Sequence, residues 1–272
     1  KNLLNIMLPS KDFFRKYANE KNIPWQEKNI LLEYLQTQIL KALSLSAYND
    51  RISFLGGTCL RFAHGINRFS EDLDFDLLKK DGFEIEKLMQ EISEKLKLQG
   101  FEVDARAKTN EKIHTIYFRF RNVLREFGFS VSKDEKVLVK FKIDFNPFKK
   151  IITETKFSDS FNERFPMLVN TPETLFAQKI IAIIFRPYQK GRDFYDLVWF
   201  LSQKNIEPNY EIFKEKGIAI KNRQELIKFL EDQAKKTDLK QAAKDVERFL
   251  FYPEQAQWIL KLPEYLKSFE NT

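Results

Sequence analysis

Cysteine is almost missing from this 272-residue chain. The single Cys59 excludes an internal disulfide framework and any cysteine-rich zinc site, and it fits a reducing compartment. Histidine is nearly as scarce. His64 and His114 are too few for a histidine-based metal centre, and neither has an acidic partner at a telling spacing, so no Ser/His/Asp relay can be assembled. The eight glycines include no Walker loop, since no Gly-Lys-Ser/Thr follows Gly56-Gly57, and no dinucleotide fingerprint. Long apolar runs are absent too: residues 179–185 are too short to span a membrane and begin with a charge, so no membrane partner is expected. The first residues do not follow the order of charged region, apolar core and cleavage site. No signal peptide is expected, and the expected localisation is cytoplasmic. Repeats and low-complexity segments are lacking as well.

What is present is an aromatic-rich globular composition, 43% hydrophobic with 27 Phe, in a chain long enough for one large or two modest domains. The net charge of +7 with a pI near 9.2 suits an acidic partner, nucleic acid first. A merely soluble basic surface is the competing reading.

The most informative stretch begins at Ile52-Ser53-Phe54-Leu55, an apolar run read as a buried strand and stopped by Gly56-Gly57. Glycines before a helix start leave backbone N–H groups and a positive dipole end available to a phosphate. Further on, an extended stretch over 72–78 turns Asp72, Asp74 and Asp76 to one face and Leu73, Phe75 and Leu77 to the other. Carboxylates that close call for a compensating cation, and a hard divalent ion with oxygen ligands is the usual one. An ordinary acidic strand face is the alternative.

Helical periodicity predicts helices over 10–20, 25–47 and 83–98, the last ended by Gly100. Alternation predicts strands over 113–121 and 137–146, the second with Val139, Phe141, Ile143 and Phe145 apolar against Lys140, Lys142, Asp144 and Asn146. Asp144 is placed for a third carboxylate if this strand neighbours 72–78, and is otherwise a solvent-facing residue of an edge strand. Thr171-Pro172-Glu173 reads as a helix start with a capping hydroxyl. A second helix opens at Arg192, and others are expected over 208–216, 222–235, 238–250 and 254–269. A soft boundary is expected near 165–171, giving an α/β domain over 1–168 and a helical domain over 169–272 that completes the active site.

Lys179 is read either as a surface lysine or as a cation for phosphate or leaving-group charge. Asp193 and Asp196, three apart, share a helix face, although Asp193 is also placed to cap its helix. Tyr117, Arg119 and Arg121 interleave an aromatic with bases, more often a polar strand face than an RNA contact.

The segment Gly56-Gly57-Thr58-Cys59-Leu60-Arg61, followed by Arg68-Phe69-Ser70-Glu71-Asp72-Leu73-Asp74-Phe75-Asp76-Leu77, resembles the first signature of the DNA polymerase β-like nucleotidyltransferase superfamily. More narrowly it resembles the AbiEii/AbiGii-type toxin nucleotidyltransferases, which include the MenT toxins. The similarity continues through Lys142-Ile143-Asp144-Phe145, residues 171–179, Arg186 and residues 191–197. It implies an α+β fold, a mixed sheet with flanking helices followed by a helical C-terminal half. It also implies Gly57 and Thr58 as phosphate-binding residues, Thr58 standing where Ser is common, with Arg61, Arg68 and Ser70 in the nucleotide-binding signature. Asp72 and Asp74 are the implied metal ligands, with Asp76 as the alternative member of the pair. Asp144 is implied as the third carboxylate, a further metal ligand and the base, and Lys179 and Asp193 as residues required for activity. The implied cofactor is Mg²⁺, with Mn²⁺ as a substitute, and the implied substrates are an NTP and an RNA acceptor such as the 3′ end of tRNA. An AbiEi-like antitoxin and a role in phage defence by abortive infection complete the expectation. The rival readings are transfer to a small-molecule or protein hydroxyl, and a non-catalytic nucleotide- or RNA-binding module.

Overall fold

The computed structural model describes residues 9–130, 135–203 and 205–270. The N-terminal residues 1–8, on which the expectation of no signal peptide rests, lie outside the described residues. In chain order, α1 (Lys11–Glu20) and α2 (Glu27–Ser44) precede β1 (Ile52–Leu55), α3 (Gly56–His64) and β2 (Leu73–Leu77). Then come α4 (Ile85–Leu98), β3 (Val103–Lys108), β4 (Ile113–Phe120), α5 (Val123–Glu126), β5 (Val137–Asp144), β6 (Thr153–Phe157) and β7 (Pro166–Asn170). The remainder is helical: α6 (Pro172–Phe185), α7 (Gly191–Leu201), α8 (Tyr210–Glu215), α9 (Arg223–Lys236), α10 (Leu239–Val246), 3-10 turns at Glu247–Phe249 and Pro253–Lys261, and α11 (Leu262–Glu270). This is the expected α+β class.

The chain divides into two compact units. The first takes the residues through Phe54, Ser70–Asn146 and Thr155–Leu168; the second takes Leu55–Phe69, Pro147–Glu154 and the chain from Val169. The glycine turn and α3 thus belong with the C-terminal helices.

A seven-stranded mixed sheet, ordered β3-β4-β5-β2-β1-β7-β6, is the backbone of the first unit. The apolar alternation of β2 and β5 becomes a ladder of stacked rings. Phe75 lies 4.2 Å from Phe141 and 5.2 Å from Phe54, centroid to centroid, at interplanar angles of 22° and 27°. Each ring is almost wholly buried, so this face of the sheet is pinned by area as well as by hydrogen bonds. The central helix α2 buries Leu31, Leu35 and Ile39 together with the polar Glu33, Gln36 and Gln38.

In the second unit α6 and α7 carry the core, with Phe176 stacked on Phe200 at 4.7 Å. Helix α7 begins at Gly191, a position where nothing larger fits. A Cβ would run into the carbonyl oxygen of Ala242 on α10 and lie 3.1 Å from the amide of Val246. The amide of Gly191 donates to Asp245 at 2.9 Å.

Several local expectations are corrected. Thr171 occupies the N-cap of α6, but its hydroxyl makes no capping bond and lies 3.3 Å from the Thr174 hydroxyl instead. Asp193 does not cap α7, whose N-cap is Lys190. The helix expected over 254–269 is a 3-10 stretch followed by α11. Strands β3, β6 and β7 carried too little apolar alternation to be foreseen: β3 presents only Val103 and two alanines opposite Asp104, Arg106 and Lys108.

Candidate active site

In the first unit, β2 and β5 run parallel with Asp74 opposite Lys142 and Asp76 opposite Asp144. Cross-strand partners share a face, so Asp74, Asp76, Lys142 and Asp144 all lie on the face away from the phenylalanine ladder. That answers the question left open for Asp144: it sits on an interior strand beside β2, not on an edge. Lys142 reaches to Asp72, which lies just before the strand, and forms an ion pair with it. The Asp144 carboxylate accepts the Asn146 amide at 2.8 Å. Asp76 is 3% exposed, whereas Asp72, Asp74 and Asp144 are each partly accessible. Of the two carboxylates considered as partner to Asp74, Asp72 is part-exposed and Asp76 is buried.

Gln36, on α2, holds the approach to this strand. Its amide donates to the carbonyl oxygens of Ser70 and Glu71, both at 3.0 Å. The sequence contained no signal for this role, because a glutamine within an apolar helix carries no motif.

The carboxylates suit a hard divalent cation by donor chemistry. Among the described residues no three Asp, Glu, His or Cys side chains are gathered into a group able to hold a metal ion. This is compatible with Mg²⁺, which is usually held by one or two carboxylates and completed by water and substrate phosphates.

In the second unit, α3 starts at Gly56, whose φ of +80° suits glycine, and no side chain caps the helix. Its first amides point out of the helix with the positive end of the dipole. Thr58 is completely buried, and burial drives the Cys59 thiol upward from its ordinary pKa, which leaves it inert. Arg61 stacks over Phe251 at 4.5 Å.

Beneath this turn lies a buried ion network. Arg68 is 1% exposed and grips Asp196, itself fully buried, through two bonds: Nε to Oδ1 at 2.6 Å and Nη2 to Oδ2 at 2.7 Å. Lys179 on α6 reaches Asp196 at 2.6 Å and Asp193 at 3.2 Å, and Arg186 closes the chain on Asp193. The shared face expected for Asp193 and Asp196 is real. Lys179 is no snorkelling surface lysine, with only 11% of its side chain exposed. Burial alone would raise the Asp196 pKa, but Arg68 and then Lys179 outweigh it and hold the carboxyl below its ordinary value. Arg68, Lys179 and Arg186 thus converge on Asp193 and Asp196.

Arg121 bonds to Asp104 at 2.6 Å, and Arg119 lies opposite Leu138, so the basic row on β4 is in part a salt-bridged strand face.

A family model described as nucleotidyl transferase AbiEii toxin, type IV TA system, matches residues 38–262. The chain belongs to the AbiEii nucleotidyl transferase toxin family. The match spans every candidate residue from Gly57 to Asp196, in both units. AbiEii toxins are one half of a toxin–antitoxin pair, so an antitoxin partner follows from membership. No curated protein matches the chain. Two crystal structures from Helicobacter pylori share its fold at 20% identity, each with a TM-score of 0.58. JHP933 covers 90% of this chain and 93% of its own, and a candidate nucleotidyltransferase covers 91% and 98%. Among the described residues of this AbiEii-family chain no helix is long and apolar enough to cross a membrane.

Proposed function

We propose that the chain transfers a nucleoside monophosphate from an NTP to the 3′-hydroxyl of an RNA, the tRNA 3′ end being the preferred acceptor. Modified tRNA would not be aminoacylated, translation would stop, and an AbiEi-like antitoxin would restore growth, as suits defence against phage. The observation that carries this reading is the β2–β5 register, with accessible Asp74 and Asp144 on one face of adjacent parallel strands.

The acceptor oxygen would form a bond to the α-phosphorus as the α–β phosphoanhydride bond breaks and pyrophosphate leaves. Asp144 would take the proton of the attacking hydroxyl. Asp72 and Asp74 would hold Mg²⁺, which when bound offsets the triphosphate charge and polarises the α-phosphate. The first amides of α3, at Gly57 and Thr58, would bind phosphate oxygens, with Arg61 and Ser70 as further signature contacts. Lys179, steadied by Asp193, would neutralise charge on the departing pyrophosphate.

The test is transfer of label from each radiolabelled NTP to total deacylated tRNA with Mg²⁺, beside Asp74→Ala. Label on tRNA from the wild type alone is expected. Label on protein or a small molecule would change the acceptor and leave the chemistry standing, while no transfer by folded protein would favour a binding module.

A further inference from the structure

We propose that Arg68 and Asp196 are positioning residues: one buried carboxylate holds the guanidinium of Arg68 against Gly57 and the ammonium of Lys179 at the same time. The inference rests on the nucleotide-transfer reading for its functional part, and on geometry for the rest.

Gly57 is followed in the chain by ordinary helical residues, and its own φ is not positive. What excludes a side chain there is Arg68. A Cβ on Gly57 would overlap Nη2 and lie 3.0 Å from Nη1 and 3.1 Å from Cζ. The guanidinium cannot swing aside. Nε and Nη2 are bound to Asp196, and Nη1 donates to the Phe69 carbonyl at 3.1 Å. Nor can its backbone retreat, since Arg68 forms a bridge with Leu250, the Phe69 amide donates to Phe249 at 2.7 Å, and the Phe251 amide donates to Asn67 at 3.1 Å. A buried ion pair of this kind is weak evidence for stability, but a planar two-bond fork fixes orientation. A lysine at position 68 could keep the charge and not the fork.

Asp196 Oδ2 is shared between Arg68 Nη2 and Lys179 Nζ, so the same oxygen that locks the arginine also places the lysine. Gly57 is thus glycine because an arginine packs on it, and the turn and Lys179 answer to one anchor.

The experiment measures KM and kcat for NTP together with unfolding in denaturant. The variants are Arg68→Lys, Asp196→Asn, Gly57→Ala, Arg68→Ala and the pair Gly57→Ala/Arg68→Ala. Arg68→Lys is expected to raise the NTP KM about tenfold and to lower kcat less, because the turn that would bind phosphate loses the fork that holds it. Asp196→Asn is expected to impair both, because it frees turn and lysine together. Gly57→Ala is expected to cost less stability in the Arg68→Ala background than alone. Unchanged KM in a folded Arg68→Lys, or additive costs of Gly57→Ala and Arg68→Ala, would overturn the proposal. If Asp196→Asn or Arg68→Ala does not fold, the KM of Arg68→Lys still decides. If the wild type transfers nothing, the function has failed, and additivity in unfolding still judges the clamp.

Discussion

Asp196 concentrates the electrostatics of the second unit, and its pH dependence can be worked out. Its carboxyl is held below the ordinary 3.8, so its contribution to stability is complete above that value and is lost as pH falls through the lower, folded-state value. The difference in unfolding free energy between wild type and Asp196→Asn should therefore be flat down to about pH 4 and shrink below it, as denaturant titrations at stepped pH would record. The carboxylates of the first unit make a different prediction. Asp76 is buried and faces Asp144, whereas Asp74 is accessible. Asp74→Asn should lower kcat/KM for NTP by at least about tenfold more than Asp76→Asn. A larger loss for Asp76→Asn would move the metal pair to 74 and 76. Residue types and spacing singled out Asp72 and Asp74 as candidates, whereas Asp144, Lys179 and Asp193 became candidates through the family resemblance. Asp196 was visible as a residue sharing a face with Asp193, but nothing local to it pointed toward Arg68.

Elements with strong periodicity were legible. Helices α2 and α4 and strands β2, β4 and β5 fall where apolar spacing places them, within a few residues at their ends. Those that failed had weak patterns: β3 offers alanines in place of branched or aromatic residues, and the only apolar residue of β6 is the exposed Phe157. Packing between elements leads to the third prediction. Gly191→Ala sets a methyl against the backbone of α10, which cannot rotate out of the way, and should cost roughly 3 kcal/mol by urea unfolding. Gly65→Ala meets nothing within 4 Å and bears only the strain of φ +74°, so a cost of about 1 kcal/mol is expected. Equal costs would show that the α7–α10 contact is looser than described.

At the scale of the molecule, the charge of +7 acquires a testable meaning once an RNA acceptor is proposed. Affinity for deacylated tRNA should fall steeply with salt, with a slope in log–log form of about −0.7 per neutralised phosphate of a single strand. A flat response would favour a small acceptor. Removing divalent ions with EDTA should stop transfer and leave the unfolding midpoint nearly in place, because the aspartate strand is held from its other face by Phe54, Phe75 and Phe141. A large fall in the midpoint would mean that the ion is structural.

The sequence alone determined which residues share a face: alternation put Asp74 and Asp76 together, with Asp72 left just outside the strand, and a spacing of three put Asp193 beside Asp196. Faces follow from backbone periods of 2 and 3.6 residues, which are local properties. Tertiary structure decided what each face meets. It set β5 beside β2 so that Asp144 stands opposite Asp76, gave Lys142 to Asp72, and joined Arg68 to Asp196 across 128 residues of chain. Such pairings depend on how distant elements pack, and a period of a few residues carries no information at that range.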